Sequence, residues 1–209
     1  MDTMTRKDLR KFFFLGARFL HENTSHLNEL DAIYGDGDYG ILTDKISHVI
    51  ENHIDNWESN VPPKIFITRM GDDVLTANSG TAGPLWGTLV SGLGIPLSDE
   101  ENLSIDVLKK MFNSSLEEVF EITPGNSGDK TFLDAYIPAV ESISSYSGDS
   151  VKEMFEKAYE AAKLGCENTK NMPSKYGKAK KYGEKTIGTE DVGAKAIEFL
   201  FQGFFKSFK

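Results

Sequence analysis

An almost unbroken helical period constrains this chain more than any other feature. Leu9, Phe12, Phe13, Ala17 and Leu20 recur at the three-or-four spacing of one helix face. The spacing returns in Ile41, Ile46, Val49, Ile50 and Ile54, and again over Ile65 to Leu75, where Pro62-Pro63 suits a helix start. The clearest case begins at Ser104. Ile105, Leu108, Met111, Phe112, Leu116, Val119 and Phe120 form one apolar stripe opposite Lys and Glu. Pro84 opens another helix through Val90. Asp129 is placed to cap one carrying Phe132, Leu133, Tyr136, Ile137 and Val140, and Pro138 within it predicts a kink or an early stop. Val151 to Cys166 and Asp191 to Phe208 complete the series, the latter closing the core with Phe201, Phe204, Phe205 and Phe208. Strand-like alternation is scarce, and its best example, Val119 to Ile122, falls at the end of the Ser104 stripe. The expected fold class is all-α, with about eight helices joined by short connections in a bundle of mostly antiparallel neighbours. No repeat and no linker divides the 209 residues, so a single domain is expected over 1–209.

The helical pattern is broken by glycine-rich stretches, each directly before a helix start: Asp36–Gly40, Ser79–Gly83, Gly125–Lys130 and Gly188–Gly193. Helix N-termini offer unpaired N–H groups and partial positive charge, a favourable setting for phosphate. The first break extends back to Asp31-Ala-Ile-Tyr-Gly-Asp-Gly-Asp-Tyr-Gly40, which carries the carboxylates of Asp31, Asp36 and Asp38. Two readings stand: a solvated acidic turn, or an all-oxygen site for Mg²⁺ or Ca²⁺, which would neutralise the clustered carboxylates. An antiparallel bundle can gather such connections at one end, where metal site and phosphate cradles would together make a nucleotide site. Glycine-rich loops between helices are also simply tight turns.

Other chemistries fit poorly. A net charge of −9 and a pI near 5.0 argue against general nucleic-acid binding. Cys166 is the single cysteine, which excludes an internal disulfide, and its apolar surroundings mark it as a packed thiol. The first residues are charged and no apolar run spans a bilayer, so a cytoplasmic protein with no membrane role is expected. The EF-hand pattern fails, because Gly40, Ile41 and Ser47 fall at its fifth, sixth and twelfth positions. Gly125-Asn-Ser-Gly-Asp-Lys-Thr131 suggests a P-loop, but Asp129 separates Gly128 from Lys130 and no good strand precedes it. His21, His26, His48 and His53 are scattered without the spacing of a zinc site. Trp57 and Trp86 read as packing residues. The lysines at 170, 175, 178, 180, 181 and 185 read as a solvated run, or, beside an anionic nucleotide, as a basic lid with glycines at 177, 183 and 188.

Four ordered blocks resemble one family, the nucleotide-binding L subunit of dihydroxyacetone kinases, DhaL. They are Leu27-Asn-Glu-Leu-Asp-Ala-Ile-Tyr-Gly-Asp-Gly-Asp-Tyr-Gly40, Ser79-Gly-Thr-Ala-Gly-Pro-Leu-Trp-Gly87, Gly128-Asp-Lys-Thr-Phe-Leu-Asp-Ala-Tyr-Ile-Pro138 and Gly183-Glu-Lys-Thr-Ile-Gly-Thr-Glu-Asp-Val-Gly-Ala194. The resemblance implies an eight-helix barrel with ADP or ATP at one end. It implies Asp31, Asp36 and Asp38 as ligands of Mg²⁺, two ions in the family, and assigns no further catalytic residue. Tyr39, Gly40, Ile41 and Leu42 would contact phosphates at a helix start, and Thr81 and Ala82 take the place of a phosphate loop. Thr123 and Phe132 fall in the adenine and ribose pocket. Lys178 stands where the family usually carries arginine, and Asp191, Val192 and Gly193 match its Asp-Pro-Gly. The implied partners are a DhaK-like subunit that holds dihydroxyacetone and a DhaM-like protein of the phosphotransferase system that rephosphorylates bound ADP in place. A homodimer is left open.

The chain departs from the family pattern at Tyr39, where histidine is usual, at Leu42 for asparagine, at Ala82 for serine, and at Lys178 and Lys185 for arginine. Lysine lacks the bidentate fork of arginine. Three alternatives therefore accompany the phosphotransferase reading. One is a non-catalytic or regulatory paralogue that binds nucleotide or a partner. Another is a DhaL-like subunit serving a different small hydroxyketone or an ATP-dependent kinase. The third is a fatty-acid kinase domain, which usually has Asp-Gly-Asp-Thr-Gly at the metal turn and lacks the Gly128-Asp-Lys-Thr131 block retained here.

Overall fold

Short polar side chains set several helix starts. The computed structural model describes residues 2–77, 82–98, 100 and 102–209. Strand β1 (Thr3–Thr5) leads into helix α1 (Arg6–Glu22), where Thr5 and Asp8 exchange side-chain-to-backbone bonds in a capping box. A short α2 (Thr24–Asp31) precedes the acidic turn, followed by α3 (Tyr39–Asp55), α4 (Pro63–Ala77) and α5 (Ala82–Gly92). Strand β2 (Asn102–Ser104) opens α6 (Ile105–Ile122), whose N-cap Ser104 accepts from the Val107 N–H at 3.3 Å. Then come α7 (Leu133–Ser145), α8 (Val151–Asn168), capped by Ser150, and α9 (Val192–Lys206), capped by Asp191.

The ring of packed neighbours runs α1, α3, α4, α5, α6, α7, α8, α9 and back to α1. The eight helices that the periodicity predicted close a barrel, as the family resemblance implied, and α2 is an additional short helix packed against α3 and α9. Inside the ring, Phe12 stacks on Phe204 with centroids 3.8 Å apart, and Phe112, Phe155 and Phe201 meet edges and faces around them. Burying each such ring contributes about 1.5–3 kcal/mol. The buried Tyr136 hydroxyl donates to Ser115 Oγ (2.6 Å), which donates to the Leu89 carbonyl (2.6 Å), joining α5, α6 and α7. Trp57 stacks on Phe66 and Cys166 is buried, so both serve packing.

Four local expectations change. Met4 of β1 pairs with Leu103 of β2, an antiparallel three-residue match too short to show as alternation. Helix α7 does not stop at Pro138. The carbonyl of Asp134 loses its i+4 donor there, and Gly165 of α8 lies so close that an added Cβ would be 2.1 Å from that oxygen. Asp129 does not cap α7. It pairs with Lys175 at 2.7 Å, while Asp134 accepts from the N–H groups of Gly128 (2.6 Å) and Thr131 (2.7 Å) and ties down the helix start. Finally, the lysine-rich stretch contains two 3₁₀ segments, Thr169–Asn171 and Lys178–Thr186, the latter broken at Gly183, where φ is 53°.

Candidate functional site

The acidic turn is shaped by contacts that leave no room for a side chain at two glycines. A Cβ on Gly35 would lie 2.1 Å from Asp31 Oδ1, and one on Gly40 would lie 2.1 Å from the Thr24 carbonyl. Asp31 closes the end of α2, and its Oδ2 accepts from the N–H groups of Gly37 (2.9 Å) and Asp38 (3.1 Å). These bonds fold the turn back so that Asp31, Asp36 and Asp38 each present a carboxylate oxygen within 4.8 Å of the others. Such a set of hard oxygen donors suits a divalent cation of the Mg²⁺ type. Lys178, reaching in from the 3₁₀ segment, pairs with Asp36. That contact holds the Asp36 carboxyl below its usual range and raises the Lys178 ammonium. Tyr34 of the turn donates to the Lys185 carbonyl and packs its ring on Tyr182, so the lysine-rich segment lies against the acidic turn at several points.

Helix α3 begins at this turn without a side-chain cap. The Gly40 N–H donates to Asn28 Oδ1 at 2.7 Å, while the N–H groups of Tyr39 and Ile41 have no hydrogen-bond partner among the described residues. Unpaired first-turn donors are an anion-binding feature. Tyr39 points inward, its hydroxyl accepting from Trp86 Nε1 at 3.2 Å, and burial raises its phenol. Gly40 therefore serves close packing of α2 on α3 and does not line the space beyond.

That space is a cavity of about 980 Å³ at one end of the barrel. Asp31, Asp36, Asp38, Tyr39, Ile41 and Leu42 form one wall. Ala82 stands at the start of α5, and Thr123 and Phe132 face it from the α6–α7 connection. Lys178, Asp191, Val192 and Gly193 complete the rim. Leu42, Leu85, Leu133 and Phe132 are among the apolar residues that line it, an arrangement typical of small-molecule clefts. Thr81 lies outside the described residues.

Asp191 accepts from the Ala194 N–H at 2.8 Å as the N-cap of α9, and burial pushes its carboxyl up to about 7 despite that bond and the nearby Lys130. The N-terminus of α9 is thus filled by its own carboxylate.

Lys130 and Asp134 also build the site, in roles that no sequence motif records. Lys130 is 3% exposed, in the left-handed region at φ 58°, and its ammonium donates to the carbonyls of Thr169 (2.9 Å), Thr186 (2.7 Å) and Thr189 (2.6 Å). All three donors are used, so none remains for a phosphate. Burial lowers its pKa, opposed by the carboxylates of Asp191 and Asp134. The carbonyls lie 39 to 59 residues away in sequence, a relation that no local pattern records.

Comparisons with known proteins show the family and the fold. The profile of the DAK2 domain matches residues 33–206. The "PEP-dependent dihydroxyacetone kinase, ADP-binding subunit DhaL" of Escherichia coli is 29% identical over 182 residues, 86% of this chain and 86% of that protein. The "L-erythrulose kinase" of Pectobacterium atrosepticum is 28% identical over 85% of this chain, which spans 31% of that longer protein. The dihydroxyacetone kinase of C. freundii, solved in complex with AMP-PNP and Mg²⁺, superposes with a TM-score of 0.73 at 22% identity. That match covers 99% of this chain and 35% of the other, and at this identity it shows a shared fold. Among the described residues, no helix is long and apolar enough to cross a membrane.

Proposed function

The chain belongs to the DAK2 domain family, and from that premise we propose that it is the nucleotide-binding subunit of a small-hydroxyketone kinase. It holds Mg-bound ATP or ADP in the end cavity, and the phosphoryl group passes to dihydroxyacetone, or a close hydroxyketone, carried by a separate DhaK-like subunit. A DhaM-like protein rephosphorylates the retained ADP in place. The observation that carries this reading is the meeting, in one cavity, of the Asp31, Asp36 and Asp38 carboxylates, the unpaired N–H groups of Tyr39 and Ile41, and an apolar wall.

The roles follow from chemistry. Mg²⁺ bound by Asp31, Asp36 and Asp38 would neutralise phosphate charge, in a reaction where positioning and electrostatics dominate. The first turn of α3 binds phosphate oxygens through backbone N–H groups. Leu42, Leu85, Phe132 and Leu133 exclude water and hold the base and ribose with Thr123. Lys178, which pairs with Asp36 at the cavity rim, would be free to pair with phosphate oxygens if Asp36 held the cation. We assign no acid or base in this chain to the acceptor hydroxyl, which the partner subunit activates. The chain acts as one unit, with the cavity mouth as its face towards the partner.

Two observations favour a second reading, a regulatory paralogue that binds a partner with little turnover. Tyr39 is anchored inward on Trp86, and Lys178 already occupies Asp36. Calorimetry with ADP, with and without Mg²⁺, tests the main reading. The expected result is Mg²⁺-dependent binding that Asp36→Ala abolishes while the fold is retained. Absence of Mg²⁺-dependent binding in the unmodified protein overturns it. Binding without phosphoryl transfer, when a cognate sugar-binding subunit and either ATP or the phosphotransferase relay are added, selects the regulatory reading.

A further inference from the structure

Helices α1 and α3 pack side by side, and this pairing brings together residues that their spacing in sequence separates. His21, in the last turn of α1, meets Asp44 and His48, which stand one turn apart on α3. One ligating atom from each lies within 4.8 Å of the others. His21 Nδ1 is 2.6 Å from Asp44 Oδ1, and the two imidazole rings meet edge to face with centroids 5.6 Å apart. None of the three lines the nucleotide cavity.

We propose that His21, Asp44 and His48 form a second metal site, distinct from the acidic turn, that takes a borderline divalent transition metal such as Zn²⁺. Donor chemistry separates the two sites. Three carboxylates suit a hard cation, whereas two imidazoles with one carboxylate suit Zn²⁺ and its neighbours in the first transition row. The hydrogen bonds prepare the rings for this role. His48 Nδ1 lies 2.8 Å from the Asp44 carbonyl, which can only accept, so the neutral ring carries its proton on Nδ1 and a lone pair on Nε2. His21 Nδ1 and Asp44 Oδ1 face each other directly, so a cation entering between them would replace the shared proton and take Nδ1 and an Asp44 oxygen as neighbouring ligands. The Asp44 carbonyl behind His48 is a second-shell acceptor of the kind that usually orients a metal-binding histidine. Asp44 Oδ2 has no partner among the described residues and remains available as an oxygen ligand.

Zn–N and Zn–O bonds near 2.0–2.2 Å set tetrahedral ligand atoms about 3.3 Å apart. The three side chains are partly or largely exposed, so rotation about their own bonds can bring them to that spacing without moving either helix. A fourth position stays open to water. The metal would tie the end of α1 to α3, whose first turn forms a wall of the nucleotide cavity.

Equilibrium dialysis of the full chain against Zn²⁺, in saturating Mg²⁺, tests the proposal. One equivalent of Zn²⁺ is expected. His21→Ala and His48→Ala should each weaken it tenfold or more, whereas His53→Ala and Asp36→Ala leave it unchanged. His21→Gln, with circular dichroism as a check on folding, repeats the test with a polar surface retained. Co²⁺ in place of Zn²⁺ should show visible absorption that both histidine variants lose. Absence of Zn²⁺ uptake, uptake unaffected by the His21 and His48 substitutions, or uptake lost in Asp36→Ala overturns the proposal.

Discussion

Replacing Lys130 with methionine should destabilise the protein far more than it weakens nucleotide recognition through any direct contact. Methionine keeps much of the apolar stem but removes the ammonium that holds the carbonyls of Thr169, Thr186 and Thr189 at 2.9, 2.7 and 2.6 Å. A hydrogen bond from a charged donor contributes about 1.5–3 kcal/mol, so three contribute on the order of 5–9 kcal/mol before desolvation. Burying an ammonium costs several kcal/mol, and the variant recovers that cost. It also leaves the carboxylates of Asp134 and Asp191 without their nearby positive charge. The net loss expected is about 3–5 kcal/mol, the range for removing one member of a buried charged arrangement. At about 2–4 °C per kcal/mol for a chain of this size, the melting temperature should fall by about 6–20 °C. Urea unfolding followed by circular dichroism measures the free energy, and thermal melting checks it. If Lys130 were instead a P-loop lysine, the variant would lose ADP affinity and keep its stability. A loss below about 1 kcal/mol would refute the argument that three saturated contacts make this residue structural.

Smaller perturbations test other parts of the same end of the barrel. Gly40→Ala places a methyl 2.1 Å from the Thr24 backbone oxygen, so α2 and α3 must part; thermal melting should report a loss of about 1–3 kcal/mol or more, with weaker Mg-ADP binding by calorimetry. Tyr39→Phe removes the acceptor for Trp86 Nε1 and should cost about 1–2 kcal/mol in urea unfolding, with a changed tryptophan emission. The Asp191 carboxyl has a folded pKa of about 7, above its ordinary 3.8, so the unfolded chain loses its proton first and stability from this group falls as pH rises between those values. Asp191→Asn retains a good N-cap and should flatten that fall in urea titrations from pH 4 to 7; an unchanged slope would contradict the assignment.

What the amino-acid order determined by itself was local. The stripe from Ile105 to Phe120, the Ser104 start, the Pro63 start of α4 and Pro84 in the first turn of α5 rest on interactions within one turn, so they show directly as spacing. The carboxylates of Asp31, Asp36 and Asp38 were legible for the same reason, since a single turn folded back on Asp31 holds all three. The four blocks also marked most of the residues that line the cavity, although sequence could not separate Gly40, which packs on Thr24, from its neighbours that face the space. Only the tertiary structure decided which distant groups meet. Ring closure of the barrel put Lys130 among carbonyls up to 59 residues away, set Lys178 on Asp36, turned Tyr39 onto Trp86 and brought His21 to His48. It also gave Asp134, and not Asp129, the start of α7. Helical spacing records which face a residue takes on its own helix; the partner across that face is chosen by how separate helices pack, which no periodicity along the chain contains.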